Sequence, residues 1–425
     1  MNVISDSKTF RRLLIFFFAF GLIFPTLRVL LMGNATSANV YQYLIASVPE
    51  LIVLTLTIHT CVLLLRAENK MQLKKLDWMV LGFIASNVAL GFILAQNIKL
   101  SLYGFRMTYL PMLFYFLIRL YDIQGDALRK MLFNIFLTLV FFTVAGHILY
   151  FLMPDIMIEM ILKSGGEVTE YFIMRMTSLL WTPVVFGTFT IAGFLYFFYR
   201  ALQDDRWTNY FFMAILWSGT VLSISRGAVI SLLFGLIIFL FFYYKGKVII
   251  KTFVMMTAVL ILISNLFESP SESLKWFWKS SIETASLKKG ITRVELWKMG
   301  YNNLKQHPFG RGLGMSGHIG TRFMNIETKD ADVYSTDGWY LKLGNETGVW
   351  GLLSYLALSI ILVVALFKRA KRSQDVFLFF LLAFFIVFNT QNMVSNVLDF
   401  YLFSYLFWLL MGVAVNQYYK NAALE

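Results

Sequence analysis

Arg226, Arg293 and Asp337 are the residues of this 425-residue chain whose types and settings are suited to chemistry. Arg226 lies in the abrupt turn SISRGAVIS between two apolar runs. Ser225 is placed to cap the second run, which puts Arg226 in a first helical turn, where free N–H groups and the helix dipole favour an anion. A snorkelling arginine that anchors a helix end fits the same position. Arg293 repeats the device in ITRVELW. Thr292 and Glu295 have capping-box spacing, and Trp297 and Leu304 share the face expected to dock a helix that stops before His307-Pro308. Asp337 stands in STDGWYLKL, where polar sequence gives way to apolar. It, Ser335 or Thr336 could cap the next helix, or a carboxylate at a water–membrane boundary could act as general base.

Other signals are weaker. Gly312, Gly314 and Gly317 form a GxGxxG, but no strand precedes it and a tight turn accounts for it. Asp330 and Asp332 make a DxD pair with no further ligand cluster set by spacing, so no metal is expected. His307 and His318 have no ligand spacing, and His59 and His147 read as core residues of apolar spans, as does the single cysteine, Cys61. Glu50, after Pro49, is the one clear intramembrane charge.

The elements that must position these residues are membrane helices. With 58% hydrophobic and 14% charged residues and a mean hydropathy of +0.68, the chain cannot clothe itself in a polar surface. Apolar runs of membrane-crossing length fall near 12–32, 41–65, 77–96, 106–121, 131–152, 177–199, 208–224, 227–244, 252–268, 347–367, 375–393 and 399–417. The expected fold is all-α and polytopic, with about twelve transmembrane helices. A large, partly helical external loop separates the ninth and tenth. The parts are then 1–268 (helices 1–9), 269–346 (a catalytic loop) and 347–425 (helices 10–12 and a short C-terminus). With the N-terminus inside, 20 of the 37 Lys and Arg fall on inner connections, and the short outer ones hold only Lys99, Arg106, Lys163, Arg175 and Arg226. The expected topology therefore has both termini cytoplasmic and the loop outside. Orientation explains most of the net charge of +13, so no nucleic-acid partner is expected.

The motifs resemble those of the O-antigen ligase and Wzy-type polysaccharide polymerase superfamily. SRGA around Arg226 is similar to the family's arginine at the start of a span. Arg293 with Glu295 and Trp297, then His307-Pro308-Phe309-Gly310 and Gly312-Leu313-Gly314, is similar to its R…W…hP.(l/f)G.G signature. Asp337-Gly338-Trp339-Tyr340-Leu341 with Glu346 and Gly348 is similar to its HN.YL…E.G segment. The resemblance runs from about Arg226 to Leu353, and earlier spans share only topology.

It implies a GT-C-like, inverting, metal-independent and cofactor-free transfer of glycan from an undecaprenyl diphosphate donor to a sugar hydroxyl on a second carrier. Arg226 and Arg293 would hold the diphosphate and Asp337 would be the base. Arg28, Arg106, Arg175, Tyr340 and Glu346 are the expected substrate-binding residues. Ligases of the family usually carry histidine and asparagine where this chain has Asp337 and Gly338, and an aspartate is more like the polymerases. A polymerase in a bacterial inner membrane, working at the periplasmic face, is therefore the leading expectation, and a chain-length regulator is a candidate partner that the sequence does not decide. A ligase acting on lipid A-core is the alternative. A lipid-linked oligosaccharide flippase fits less well, because no internal repeat is visible.

Overall fold

The computed structural model describes residues 8–32, 48–66, 73–121, 123, 125–163, 175–180, 182–242, 246–266, 293–317 and 338–423. Within these, the chain is helical. Among the described residues, seven helices are long and apolar enough to cross a membrane: α1 (Lys8–Met32), α3 (Lys75–Ile93), α6 (Gly125–Leu152), α8 (Pro183–Gln203), α11 (Gly246–Leu266), α13 (Trp339–Ser373) and α14 (Val376–Val394). Shorter apolar stretches lie in α2 (Val48–Arg66) and α10 (Arg226–Phe242), α9 (Trp207–Leu222) and α15 (Tyr401–Ala423) complete the long elements, and α7 (Pro154–Lys163) is a short helix after α6. Large apolar side chains such as Phe141, Ile230, Val254 and Ile360 face outward from these helices. Water would not tolerate so much exposed apolar area, and lipid would. The fold is that of a polytopic membrane protein.

The run expected to span from 106 to 121 is not one helix. It is divided into α4 (Ile98–Thr108), a 3-10 turn (Leu110–Met112) and α5 (Leu113–Leu120). Pro111 lacks the N–H that a continuous helix would use at that point. Cys61, expected in the core, is exposed on α2. Burial on a helix apolar all round is decided by its neighbours, not by its own residues.

The helices group into two compact units, one of residues 1–71 and 117–263 and the other of 72–116 and 264–425. In the first, α8 is buried on nearly every side and packs against α6, α9 and α10. Its small residues permit this. A Cβ on Gly193 would lie 3.0 Å from Leu216, and one on Gly219 of α9 would lie 2.7 Å from Thr143 of α6. In the second unit, α13 packs against α3, α14, α15 and α12 (Arg293–Gln306). Here α14 is the buried member, with Phe384 stacked on Phe403 of α15 and Phe388 tilted against the same ring.

Candidate active site

In the first unit the chain turns between α9 and α10 over Ser223, Ile224 and Ser225, and Arg226 is the first residue of α10, as expected. The Ser225 carbonyl accepts the first helical bond, from Val229 N at 3.1 Å. Ile224 is held left-handed at φ 49°, which costs a β-branched residue about 1–2 kcal/mol. Three contacts hold the turn against that cost. Ser225 N donates to Ser223 Oγ at 3.2 Å, Met176 N donates to the Leu222 carbonyl at 2.9 Å, and Arg175 Nε donates to the Ser223 carbonyl at 3.0 Å. Gly187 on α8 makes room, since a Cβ there would lie 2.7 Å from Ser223 Oγ and 2.9 Å from Ser225 Cβ. Arg175 is thus brought to the turn that delivers Arg226, with one guanidinium nitrogen committed to the backbone.

In the second unit α12 begins at Arg293 and ends at Gln306, immediately before His307-Pro308, as expected. Its buried stripe is Leu296, Gly300, Asn303 and Leu304, and Trp297 is only half-buried. The docking face is therefore set by Leu296 and Leu304 at i and i+8. Leu304 packs over Gly344 of α13, where an added Cβ would meet it at 3.2 Å.

The glycine-rich stretch that follows is wedged into α13. That helix starts at Trp339, eight residues before the expected span, and breaks at Thr347 and Gly348 (φ 71°, ψ −167°), where the span was expected to begin. A broken helix leaves N–H and C=O groups without partners. The loop supplies them. Arg311 N donates to Asn345 O at 2.9 Å, Gly312 N to Glu346 O at 3.0 Å, and Val349 N to Pro308 O at 2.9 Å. The Glu346 side chain adds a fourth contact, accepting from Gly314 N at 3.0 Å through Oε1. Gly310 and Gly348 face one another so closely that a Cβ on Gly310 would lie 2.5 Å from Glu346 O. The loop's other side rests on α3 and α4, where Leu313 N donates to Gly91 O at 3.3 Å and Ser101 Oγ to Leu313 O at 3.3 Å. The proline, the glycines and the Glu-x-Gly are thus parts of one joint.

Residues 211–356, from within α9 to just past this joint, match the family model for O-antigen ligase. That stretch is an O-antigen ligase-family domain. It covers about a third of the chain and includes Arg226, Arg293 and the joint around Gly348. No curated protein matches the chain. An O-antigen ligase-family domain in a membrane of apolar helices indicates transfer of lipid-linked glycan, of ligase or polymerase type.

The other residues expected of an O-antigen ligase-family site, each within its own unit, fall as follows. Tyr340 donates to Asn389 Oδ1 at 3.1 Å, sharing that acceptor with Tyr355 at 2.9 Å, and its ring packs edge-on against Tyr355. Arg106 is half-buried on α4, its guanidinium 5.8 Å from the Tyr103 ring centre. Asp337, Thr292, His318, Asp330 and Asp332 lie outside the described residues, as do the side chains of Arg28 and Arg293. The helix cap expected at Ser335, Thr336 or Asp337 is instead Gly338, at φ 106°. Of the histidines, His147 is held by Thr143 O and Ser218 Oγ, each at 2.8 Å, and His307 is exposed.

Sequence reasoning passed over one feature of this domain's surroundings. Lys342 and Asp399 form a buried ion pair, and Lys342 Nζ also donates to Thr108 Oγ1 at 2.9 Å. The signal was a lysine and an aspartate flanked by apolar sequence, in WYLKLG and NVLDFYL, which in a membrane protein marks a functional position.

Proposed function

We propose that the protein is a bacterial repeat-unit polysaccharide polymerase of the inner membrane, with about twelve spans, both termini cytoplasmic and the active site on the periplasmic face. Asp337 takes the proton from a sugar hydroxyl on one undecaprenyl diphosphate-linked unit. That oxygen bonds to the anomeric carbon of a second unit as its bond to the diphosphate oxygen breaks, with inversion and without metal. Arg226 and Arg293 neutralise the charge that develops on the departing diphosphate, assisted at the substrate by Arg28, Arg106, Arg175, Tyr340 and Glu346. A chain-length regulator is a further partner.

The observation that favours polymerase over ligase is at Gly338. Its left-handed φ and the Met393 carbonyl, which would lie 2.8 Å from any Cβ, leave no place for the asparagine of the ligase pattern. The departure from histidine-asparagine to aspartate-glycine is therefore matched by the backbone.

A deletion strain tests the reading. Single lipid-linked repeats should accumulate, whereas long lipid-linked chains would establish the ligase and failure to reach the outer leaflet the flippase. Asp337→Asn should lower turnover at least ~100-fold with thermal stability in detergent unchanged, because the cap belongs to Gly338. Asp330→Ala with Asp332→Ala, and added chelator, should be silent. An active Asp337→Asn with turnover lost in the double variant and in chelator would replace this mechanism with a metal-dependent one.

A further inference from the structure

Lys342 is fully buried (0% exposed) and Asp399 nearly so (3%), and the pair ties together three parts of the second unit. Lys342 lies on α13 four residues after Gly338 and donates its backbone N–H to the Gly338 carbonyl at 3.1 Å. Asp399 sits in the 3-10 turn (Val397–Asp399) between α14 and α15, and Thr108 ends α4. The glycine-rich stretch reaches the same point. A Cβ on Gly317 would lie 2.8 Å from Asp399 Oδ2 and 3.1 Å from Lys342 Cδ. Gly317 and Gly338 are thus both set against the pair or its backbone.

Stability alone is a poor reason for such a pair. Removing two charges from water costs as much as their attraction returns, and apolar side chains of similar volume hold helices together at least as well. What an ion pair adds is a single register, because Lys342 Nζ has its partners in one rotation and depth of the helix start and in no other.

We propose that Lys342 and Asp399 are positioning residues for glycan transfer, setting the rotation and depth of the first turn of α13 and thereby the place at which Gly338 hands the chain to the base Asp337. The inference rests on the polymerase reading. It assigns no contact between either residue and substrate. A helix start displaced by ~1 Å at a reacting centre lowers turnover by ~100-fold without weakening binding elsewhere.

The test compares wild type, Lys342→Met with Asp399→Leu, Lys342→Arg and Asp337→Asn, each purified into nanodiscs. The measurements are detergent melting, and kcat and KM for polymerisation of lipid diphosphate-linked repeats. The double apolar variant also takes the Lys342 charge away from the buried Glu346 carboxyl, so it should melt at or somewhat below wild type, and it should lose ~100-fold in kcat with KM changed less than ~3-fold. Lys342→Arg keeps the charge but lengthens the arm and brings a planar fork, and it should fold with a similar loss in kcat. Wild-type kcat in the double variant, or in a folded Lys342→Arg, would overturn the proposal and leave the pair a structural tie. If the double variant fails to fold, Lys342→Arg decides alone. If both fail to fold, the pair is required for the fold and the proposal falls. If wild type polymerises and Asp337→Asn does too, the base is misassigned and the proposal falls with it. If wild type joins no repeats at all, the polymerase reading itself fails.

Discussion

Replacing Gly348 with alanine tests whether the joint between the glycine-rich loop and α13 holds the site together. At φ 71° and ψ −167° the residue occupies a region essentially restricted to glycine, so a side chain there costs about 1–3 kcal/mol before any contact is counted. The new Cβ would overlap the Pro308 carbonyl oxygen and lie 2.5 Å from Phe309 C and 2.7 Å from Phe309 Cα. These are backbone atoms with no rotamer to change, so the loop must retreat by ~1 Å to reach ordinary contact. That retreat stretches the bonds from Val349 N, Gly312 N and Arg311 N, each worth about 1 kcal/mol. With one to three of those bonds lost, the total is about 2–6 kcal/mol, against a net stability on the order of 5–15 kcal/mol for a folded protein. Gly82→Ala is the control, since nothing lies within 4 Å of a Cβ there and alanine is the better helix former on α3. Thermal unfolding in detergent, followed by tryptophan fluorescence, should show a midpoint several degrees lower for Gly348→Ala and equal to or slightly above wild type for Gly82→Ala. Glycan transfer should fall with it. Equal midpoints for the two variants would refute the reasoning, because the joint would then carry no measurable stability.

Arg226→Ala and Arg293→Ala should each abolish polymer formation while the protein remains in the membrane, with lysine restoring little because it lacks the planar fork; each lost contact is worth on the order of 3 kcal/mol in the barrier. Near-normal polymer from either alanine variant would return that arginine to anchoring a helix end. Topology is checked in a Cys61→Ala background: a cysteine replacing Phe309, 78% exposed, should react with an impermeant maleimide on intact spheroplasts, and one replacing the exposed Ser373 should not. The reverse pattern would remove the basis for an external site.

The arrangement of α13 shows why only part of the site is legible in the chain. Hydropathy located α3 and α14 to within a few residues, and Pro308 marked the end of α12, because apolar windows and proline act over a few neighbouring positions. The same local rules placed Arg226 in the first turn of α10 after the Ser225 carbonyl. They also brought the Gly-x-Gly and Glu-x-Gly motifs to notice, but not their union, for Gly314 N and Glu346 Oε1 meet across 32 residues.

What the sequence determined by itself was the membrane class, most of the apolar helical runs and the residues worth suspecting, since each of these is a property of a short window; the division of 106–121 and the break of α13 at Gly348 were not among them. Which face of α12 is buried, that Gly338 and not Asp337 caps α13, and that Lys342 finds Thr108 across 234 residues and Asp399 across 57 were decided by tertiary structure alone. The physical reason is that a buried charge or a glycine held at positive φ is explained by its partners, and no window of the chain contains both members of those contacts.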